Sequence, residues 1–574
     1  MESNSVVKIF EEIGRLLELK GENPFKSRAY YNVARTIRSM GEKRLRDLAR
    51  EDRLKEVEGI GEAINDKLKE LLLTGFLPYY GELRESVPPG LHDILLVPGL
   101  GPKKTWMLYN TLGISTLDEL ESACKENRLA GLRGFSERSQ KNILQGIGHV
   151  RNSLGYYHYG MALGLANILM EGLGAHVGFG QVNLAGSIRR CREVVKDIDL
   201  VAFAGNPAKM TAFFAGLSQV AGVIALGETK ATVRLHKGIK ADLRVVKEEE
   251  FPFALHHFTG SKEHNTALRQ RAKTMGLKIN EYGIFKGEEL LSCRDEQELF
   301  ATLDLAYIPP ELRENLGEIE AAEKGVLPDL VEEKDIKGIF HIHTTSSDGI
   351  NTLEEIVYFC RETGYEYVGI TDHSISAHYA GGLSVEELLG QVEEIEGLRG
   401  KFPELAIFSG VEVDIRTDGS LDYADEVLQK LDFVIASIHS GFRMTREKMT
   451  ERLVRALSHP QVTMLGHPTG RLLLEREGYP LDLERVLLAA LEHGVIIELN
   501  ANPARLDLDW RHLKRAKDMG VLVSINPDAH SLQDFSDIKF GISIARKGWL
   551  EKKDVFNTLT RQEVEAYLLN RKRS

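Results

Sequence analysis

The chain has 574 residues, of which 43% are hydrophobic and 28% charged, with a formal net charge of −12. That length calls for several domains, and the composition is that of an ordinary globular protein rather than a disordered or fibrous one. No apolar run approaches the ~20 residues that span a bilayer, and the start MESNSVVKIFEEIGR lacks a signal-peptide pattern. Cys124, Cys191, Cys293 and Cys360 stand apart without CxxC spacing, which argues against a zinc ribbon or disulfide framework and for a reducing cytoplasm. The charge is uneven: net +1 over residues 1–150, −4 over 151–335 and −9 over 336–574. Any grip on nucleic acid therefore belongs mainly to the first half, and the acidic last part suits a carboxylate-rich metal site.

Residues 5–75 read as helices with short joins. Val57-Glu-Gly-Ile-Gly-Glu-Ala63 lies between two of them, and Val97-Pro-Gly-Leu-Gly-Pro-Lys103 repeats the pattern ahead of another helix. Gly131-Leu-Arg-Gly-Phe-Ser136 is a weaker echo. Each unit looks like a helix-hairpin-helix turn, whose glycines (Gly59, Gly61, Gly99 and Gly101) let backbone N–H groups approach a DNA phosphate. A single GxG is more often a plain turn between helices. Two copies, with Lys67, Lys103 and Lys104 beside them, favour sequence-independent DNA binding.

A helix over 158–175 is followed by strand-like runs at 181–186, 198–204, 231–236 and 239–246, with a helix at 207–219 between them. Within this stretch lies GSIRRCREVVKDIDLV, residues 186–201. Alternate strand residues share a face, so Asp197 and Asp199 project together while Ile198 points away. Two carboxylates held that close repel unless a cation lies between them, and hard oxygen ligands suit Mg²⁺ or Mn²⁺. Gly186 and Ser187 offer N–H groups and a hydroxyl to a phosphate, and Arg189 and Arg190 offer charge-assisted bonds. Asp242, in Lys240-Ala-Asp-Leu-Arg, supplies a third carboxylate from a neighbouring strand, completing a site for two-metal nucleotidyl transfer. A helix at 263–275 and a hairpin at 277–286 follow, and the acidic stretch 317–335 reads as a surface linker.

From Ile336 short apolar strands alternate with amphipathic helices, the rhythm of a βα barrel. His341, His343, Asp348, Asp372, His373, Glu412, His439, His467, Asp528 and His530 lie at or just past the C-terminal ends of these strands, where barrel enzymes keep their active sites. A lone His there is usually structural; this concentration of ligand types at one mouth points to a multinuclear metal site. His459, His493 and His512 fall on helix patterns and read as surface residues.

The GS…DxD stretch resembles the nucleotidyltransferase signature, and its RR form resembles family X DNA polymerases, a likeness that spans residues 5–316 in order. Phe258-Thr-Gly-Ser261, followed by Asn265 and Arg269, matches that family's thumb motif. The resemblance implies that Asp197 and Asp199 bridge both metals and Asp242 ligates the primer-side one. It implies that Ser187 and Arg190 bind nucleotide phosphates, Gly260 approaches the sugar, Asn265 reaches the base edge and Arg269 contacts the template. Arg244, Glu281 and Tyr282 match a trio that changes partners as the thumb closes. His257 stands beside Phe258 where many members have Tyr, Lys262 replaces an acid, and His158 lies where an upstream phosphate-binding arginine is expected. Lys67, with Tyr30, matches the family's lyase pocket; a solvated or phosphate-binding lysine is the competing reading.

The histidine pattern resembles the PHP (polymerase and histidinol phosphatase) domain, a distorted (β/α)7 barrel. By that resemblance His341, His343, Asp348, His373, Glu412, His439, His467, Asp528 and His530 hold about three ions, Mn²⁺, Zn²⁺ or Fe²⁺. Asp372 is expected behind a ligating imidazole, and His378 is read as a bystander. The expected architecture is multidomain α+β and α/β: a helical lyase-like domain (1–80), helical fingers (81–150), palm (151–250), thumb (251–317), linker (318–335) and PHP domain (336–574). The expected function is a cytoplasmic, monomeric DNA-directed DNA polymerase that fills short gaps in base excision repair. Its expected partners are gapped or primer-template DNA and dNTPs, with no membrane, and its PHP domain adds 3'-5' exonuclease or abasic-site cleavage. One rival is a non-DNA nucleotidyltransferase fused to a histidinol-phosphatase-like monoesterase, and another is a DNA-binding scaffold with degenerate sites. The paired hairpins and FTGS segment disfavour the first, and the complete ligand sets disfavour the second.

Overall fold

The computed structural model describes residues 3–40, 44–45, 48–49, 51, 53–57, 60–176 and 179–573. The chain divides into two compact units, Met1–Leu154 and Gly155–Ser574.

The described part of the first unit is helical. Val6, Phe10, Ile13 and Leu17 recur along one face of Ser3–Leu19, and all are buried, largely against the helix Pro24–Met40. Each such side chain removed from water contributes about 1.5–3 kcal/mol. The hairpin sequences do start helices: Gly61 precedes Glu62–Thr74, and Gly101 precedes Pro102–Leu112. The weaker echo behaves alike, with Ser136 capping Glu137–Ser153 through a reciprocal hydrogen-bonded box.

The second unit begins with the helix Tyr159–Gly174, packed on a five-stranded mixed sheet. Across that sheet the strands run Phe179–Leu184, Asp197–Ala204, Lys240–Val246, Lys230–Leu235 and Val220–Leu226. Val220–Leu226 is an exposed edge strand absent from the sequence expectation, and the helix expected over 207–219 stops at Ala215. The helices Phe251–Thr259 and Lys262–Thr274 lead to a three-stranded antiparallel sheet and the helix Glu296–Thr302. The expected linker is not a loose one. Its helix Glu318–Lys324 packs Ile319 and Ala322 into the cluster around Leu268 and Phe300, and Glu318 is buried against His264 at 2.7 Å.

The remaining strands are parallel and buried. Gly338–Ile339, Tyr367–Ile370 and Ala406–Ser409 form one sheet; Glu412–Asp414, Ile435–Ser437, Met464–Leu465, Ile496–Asn500 and Val523–Asn526 form another. Parallel bridges His373↔Glu412 and Ile342↔Ala529 link the two sheets at both margins. Helices cover them, as parallel strands require. One apolar cluster runs unbroken from Tyr159 and Leu169 in the first half of this unit to Ile497 and Phe540 in the second. Polar contacts cross the same seam: Glu193 accepts from Trp510 Nε1 at 2.9 Å and Arg511 at 2.7 Å, and Arg546 reaches Glu311 at 2.7 Å.

Candidate active sites

In the mixed sheet, Asp197 and Asp199 open their strand, and the parallel neighbour sets Asp242 beside Asp199. Ile198 between them is fully buried. Thr232, across from Asp242, donates its hydroxyl to that carboxylate at 2.5 Å, and Lys230 Nζ lies 3.4 Å away. Burial and the Asp197 and Asp242 carboxylates push Asp199 up to about 7; burial and Asp242 raise Asp197. This is the electrostatic condition a divalent cation relieves, and an all-oxygen donor set fits Mg²⁺ or Mn²⁺. Gly186 starts the single turn Gly186–Arg189 at φ +62°, and a Cβ there would lie 2.0 Å from Asp199 Oδ2. No side chain fits, so the turn packs directly against the carboxylate.

A cleft of about 390 Å³ adjoins this turn, walled by Gly186, Ser187, Arg190, Asp197, Asp199, His257, Phe258, Gly260, Lys262, Asn265 and Arg269. Ser261 is a buried helix cap instead, its hydroxyl accepting from the His264 N–H at 3.2 Å. Of the two adjacent arginines only Arg190 reaches the cleft. Arg189 binds Glu296 at 2.6 Å, and Arg313 joins the same carboxylate; against its burial, Arg313 and Arg189 hold Glu296 down at about 2. Asn265 donates Nδ2–H to the His257 carbonyl at 2.8 Å, and Arg269 Nε–H to the Asn265 carbonyl at 3.1 Å. Arg244 stacks over Phe258 at 4.6 Å, Glu281 lies 3.9 Å from His257, and Tyr282 is exposed. His158 is engaged elsewhere, its Nδ1 3.1 Å from the Pro503 carbonyl.

In the first unit Gly99 adopts φ +88°, and Gly61, Gly99 and Gly101 face open space, leaving the turn backbone accessible. Lys103 is exposed beside them. Gly59 lies outside the described residues. Lys67 Nζ sits 4.8 Å over the Tyr79 ring, which stacks at 6.4 Å on Tyr30.

Among the described residues, the parallel-sheet region brings ligand atoms together in four overlapping groups, each within 4.8 Å. They are His343, Asp348, His373 and His530; His341, Glu412 and His467; His341, His343 and Asp528; and His373, Glu412 and His439. All nine expected ligand positions are included. His341, His467 and Asp528 sit at positive φ, backbone strain that concentrates at functional sites. Buried His341 Nε2 and both ring nitrogens of His343 have no hydrogen-bond partner. Unpartnered buried ring nitrogens of this kind need an explanation, and a metal bound to a nitrogen lone pair supplies one. Against its burial, His439 is pushed up to about 10 by Glu412 and Asp414, and His530 likewise to about 9 by Asp348 and Asp528. The carboxylates thus draw positive charge into the site.

The residues behind the ligands were missed in the sequence. Glu498 accepts from His341 Nδ1 at 2.6 Å and from the His467 N–H, which turns the other His341 nitrogen inward. Asp414 holds His439 Nδ1 at 2.5 Å. Asp372 faces no imidazole: its carboxylate takes the Thr344 N–H and hydroxyl, the Ser347 hydroxyl and Gln391, fixing the loop after His343. Tyr379 is exposed, its ring 6.0 Å from His373 and 6.2 Å from His439, and Arg505 lies 3.5 Å from Asp528. His378 is exposed, His459 half-buried against Asp425, and His493 and His512 exposed.

Four family models match this chain: a helix-hairpin-helix domain (residues 1–77), a SAM-like helix-hairpin-helix tandem (92–148), the DNA polymerase beta thumb (254–314) and the PHP domain (340–502). A DNA polymerase/3'-5' exonuclease PolX of Bacillus subtilis is 40% identical over 572 residues, covering 99% of each chain. A probable phosphatase of Thermoanaerobacter sp. is 31% identical over 250 residues, 41% of this chain and 94% of that one. Among solved structures, a ternary complex of Leishmania infantum polymerase beta aligns with TM-score 0.25 and 24% identity, over 39% of this chain and 98% of that one.

Proposed function

Because the chain belongs to the PolX family of family X polymerases, it is a DNA polymerase and 3'-5' exonuclease, and we propose the following division of labour between its residues. Asp197, Asp199 and Asp242 hold Mg²⁺ or Mn²⁺ for nucleotidyl transfer. Ser187 and Arg190 grip the dNTP phosphates. Phe258 and Gly260 border the sugar, Asn265 meets the base edge and Arg269 the template. His257 stands where a tyrosine would press on the ribose. Gly61, Gly99, Gly101 and Lys103 hold the DNA backbone. His341, His343, Asp348, His373, Glu412, His439, His467, Asp528 and His530 hold about three ions, Mn²⁺, Zn²⁺ or Fe²⁺, on a distorted (β/α)7 barrel. Bound there, the ions would supply Lewis acidity, for a 3'-hydroxyl at one site and a water at the other.

The protein's own residues set the geometry around that chemistry. Gly186 brings backbone against Asp199, and Glu498 and Asp414 orient His341 and His439 so that their second nitrogens face inward. Arg505, 3.5 Å from Asp528, is a cation beside the barrel site for a DNA phosphate. The segments 1–80, 81–150, 151–250, 251–317 and 336–574 are taken as domains, with the helix Glu318–Lys324 assigned to the thumb it packs on. Gap filling in base excision repair is the proposed role. The protein acts as a monomer in the cytoplasm. Four free cysteines go with that setting, and among the described residues no helix is long and apolar enough to cross a membrane.

One observation carries this reading: both ligand sets are complete within one compact unit. Asp197→Ala with Asp199→Ala should abolish extension of a gapped duplex and leave metal-dependent 3' degradation intact. His341→Ala with His343→Ala should do the reverse. Loss of both activities in either folded variant would refute the two-site assignment. Lys67 is the proposed lyase nucleophile, its amine lying over Tyr79. Borohydride should trap the enzyme on a 5'-deoxyribose phosphate end; equal trapping by Lys67→Ala would rule that out.

A further inference from the structure

The helix Ile538–Lys547 belongs to the C-terminal region, yet its last residue ends against the nucleotide cleft. The Lys547 side chain is fully buried. Its ammonium donates to the Glu314 carboxylate at 2.6 Å, to the Arg190 carbonyl at 2.8 Å and to the Glu311 carbonyl at 3.3 Å, and it lies 4.4 Å over the Trp510 ring. All three ammonium protons are thereby engaged. The same Glu314 oxygen accepts from Arg190 Nε at 3.1 Å, while Arg192 stands 3.7 Å from the other oxygen. Arg190 continues to the Thr259 carbonyl and lies 3.1 Å from where a Cβ on Gly260 would be. A chain of direct contacts therefore runs from the C-terminal helix to the cleft wall.

We propose that Lys547 is a positioning residue of the polymerase site: by sharing the Glu314 oxygen that accepts from Arg190 Nε it weakens that carboxylate's hold on Arg190, so that the guanidinium is more readily turned to the dNTP phosphates. The inference rests on the reading of Arg190 as a phosphate ligand. Without Lys547, Glu314 is neutralised by the arginines alone. Arg190 is then held harder in the empty cleft, and part of the nucleotide's binding energy goes into releasing it. Glu314→Gln removes the competing charge and keeps the shape.

The test is steady-state extension of a gapped duplex by the full-length protein, with dNTP varied. Lys547→Met is expected to raise KM for dNTP by roughly fivefold or more while kcat stays within about twofold, with 3'-5' degradation unchanged. Lys547→Met with Glu314→Gln is expected to return KM towards the parent value. Glu314→Gln alone, which does not depend on the fold tolerating methionine, is expected to lower KM. An unchanged KM in folded Lys547→Met, a rise in Glu314→Gln, or a parallel loss of both activities that Glu314→Gln does not rescue would overturn the proposal. Arg190→Ala separates the two ideas. If it raises KM and Lys547→Met does not, only the role of Lys547 falls; if it leaves KM unchanged, the phosphate reading of Arg190 falls and the proposal with it.

Discussion

In the palm, three carboxylates stand on two neighbouring strands beside an open cleft, backed by one hydroxyl and one lysine. In the parallel-sheet region nine ligand positions interlock, most of them buried, and Glu498 and Asp414 hold two of the imidazoles from behind. In the first cluster burial and, after it, like-charged neighbours both oppose ionisation of Asp199; in the second, Glu412 and Asp414 outweigh burial and favour a charged His439. A repulsive cluster is completed by what it binds, whereas an interlocked one is assembled beforehand. The polymerase site should therefore take up ions together with nucleotide, and the exonuclease site should keep its ions between turnovers.

The largest way to break that contrast lies in the palm. With so few ligands, Asp199→Asn is expected to lower extension on the order of 10³-fold in kcat; primer extension that survives it would mean the palm ions have other anchors. Next comes Gly186→Ala, whose Cβ would collide with the Asp199 carboxylate. A displacement of that kind should reduce extension by about 10²-fold, and the positive φ and the clash should lower the melting temperature as well. Glu498→Gln probes the other cluster. It leaves every ligand in place but weakens the hold on His341, so metal affinity measured by chelator competition should fall by roughly 10–100-fold while extension is unaffected.

The smallest effect is on stability against pH. Burial and the neighbouring Arg313 cation hold His256 and His264 below the ordinary imidazole value. The unfolded chain then binds more protons than the folded one once the pH drops below about 6.5, so stability is lost from there downward. In metal-free protein His439 and His530 act in the opposite sense: their contribution is complete below the unfolded value and is lost as pH rises towards 9 and 10. Denaturant unfolding followed by thumb and C-terminal probes at several pH values should separate the two trends. Coincident trends would refute the sign of one group.

The clustering of these residues was legible because it follows from periodicity. Alternation along a strand predicts that Asp197 and Asp199 share a face, and strand–helix repetition predicts that residues past successive strand ends share a mouth. What stands behind the ligands was not legible. Glu498 lies in the apolar run VIIELN, where a lone acid was the available signal, but its pairing with His341 spans 157 positions. Asp372 follows the same limit in reverse: adjacency to His373 in sequence does not make it adjacent to the imidazole, and its carboxylate turns to Thr344 and Gln391. The segment after residue 317 looked like a linker because its acids dominate the composition. Glu318 is nonetheless buried, since His264 waits opposite it. Arg189 and Arg190 look equivalent as a pair, and only the position of Glu296 divides them into a strut and a cleft residue.

The apolar cluster that passes from Tyr159 to Phe540 bears on how this chain can be divided. A gene shortened before residue 336 would still encode every palm aspartate, but Tyr159 would meet water where Phe540 had been, and Glu193 would lose Trp510 and Arg511. Such a fragment keeps its catalytic inventory and forfeits part of its interior. In this chain the writing half and the erasing half each supply some of the other's dry ground.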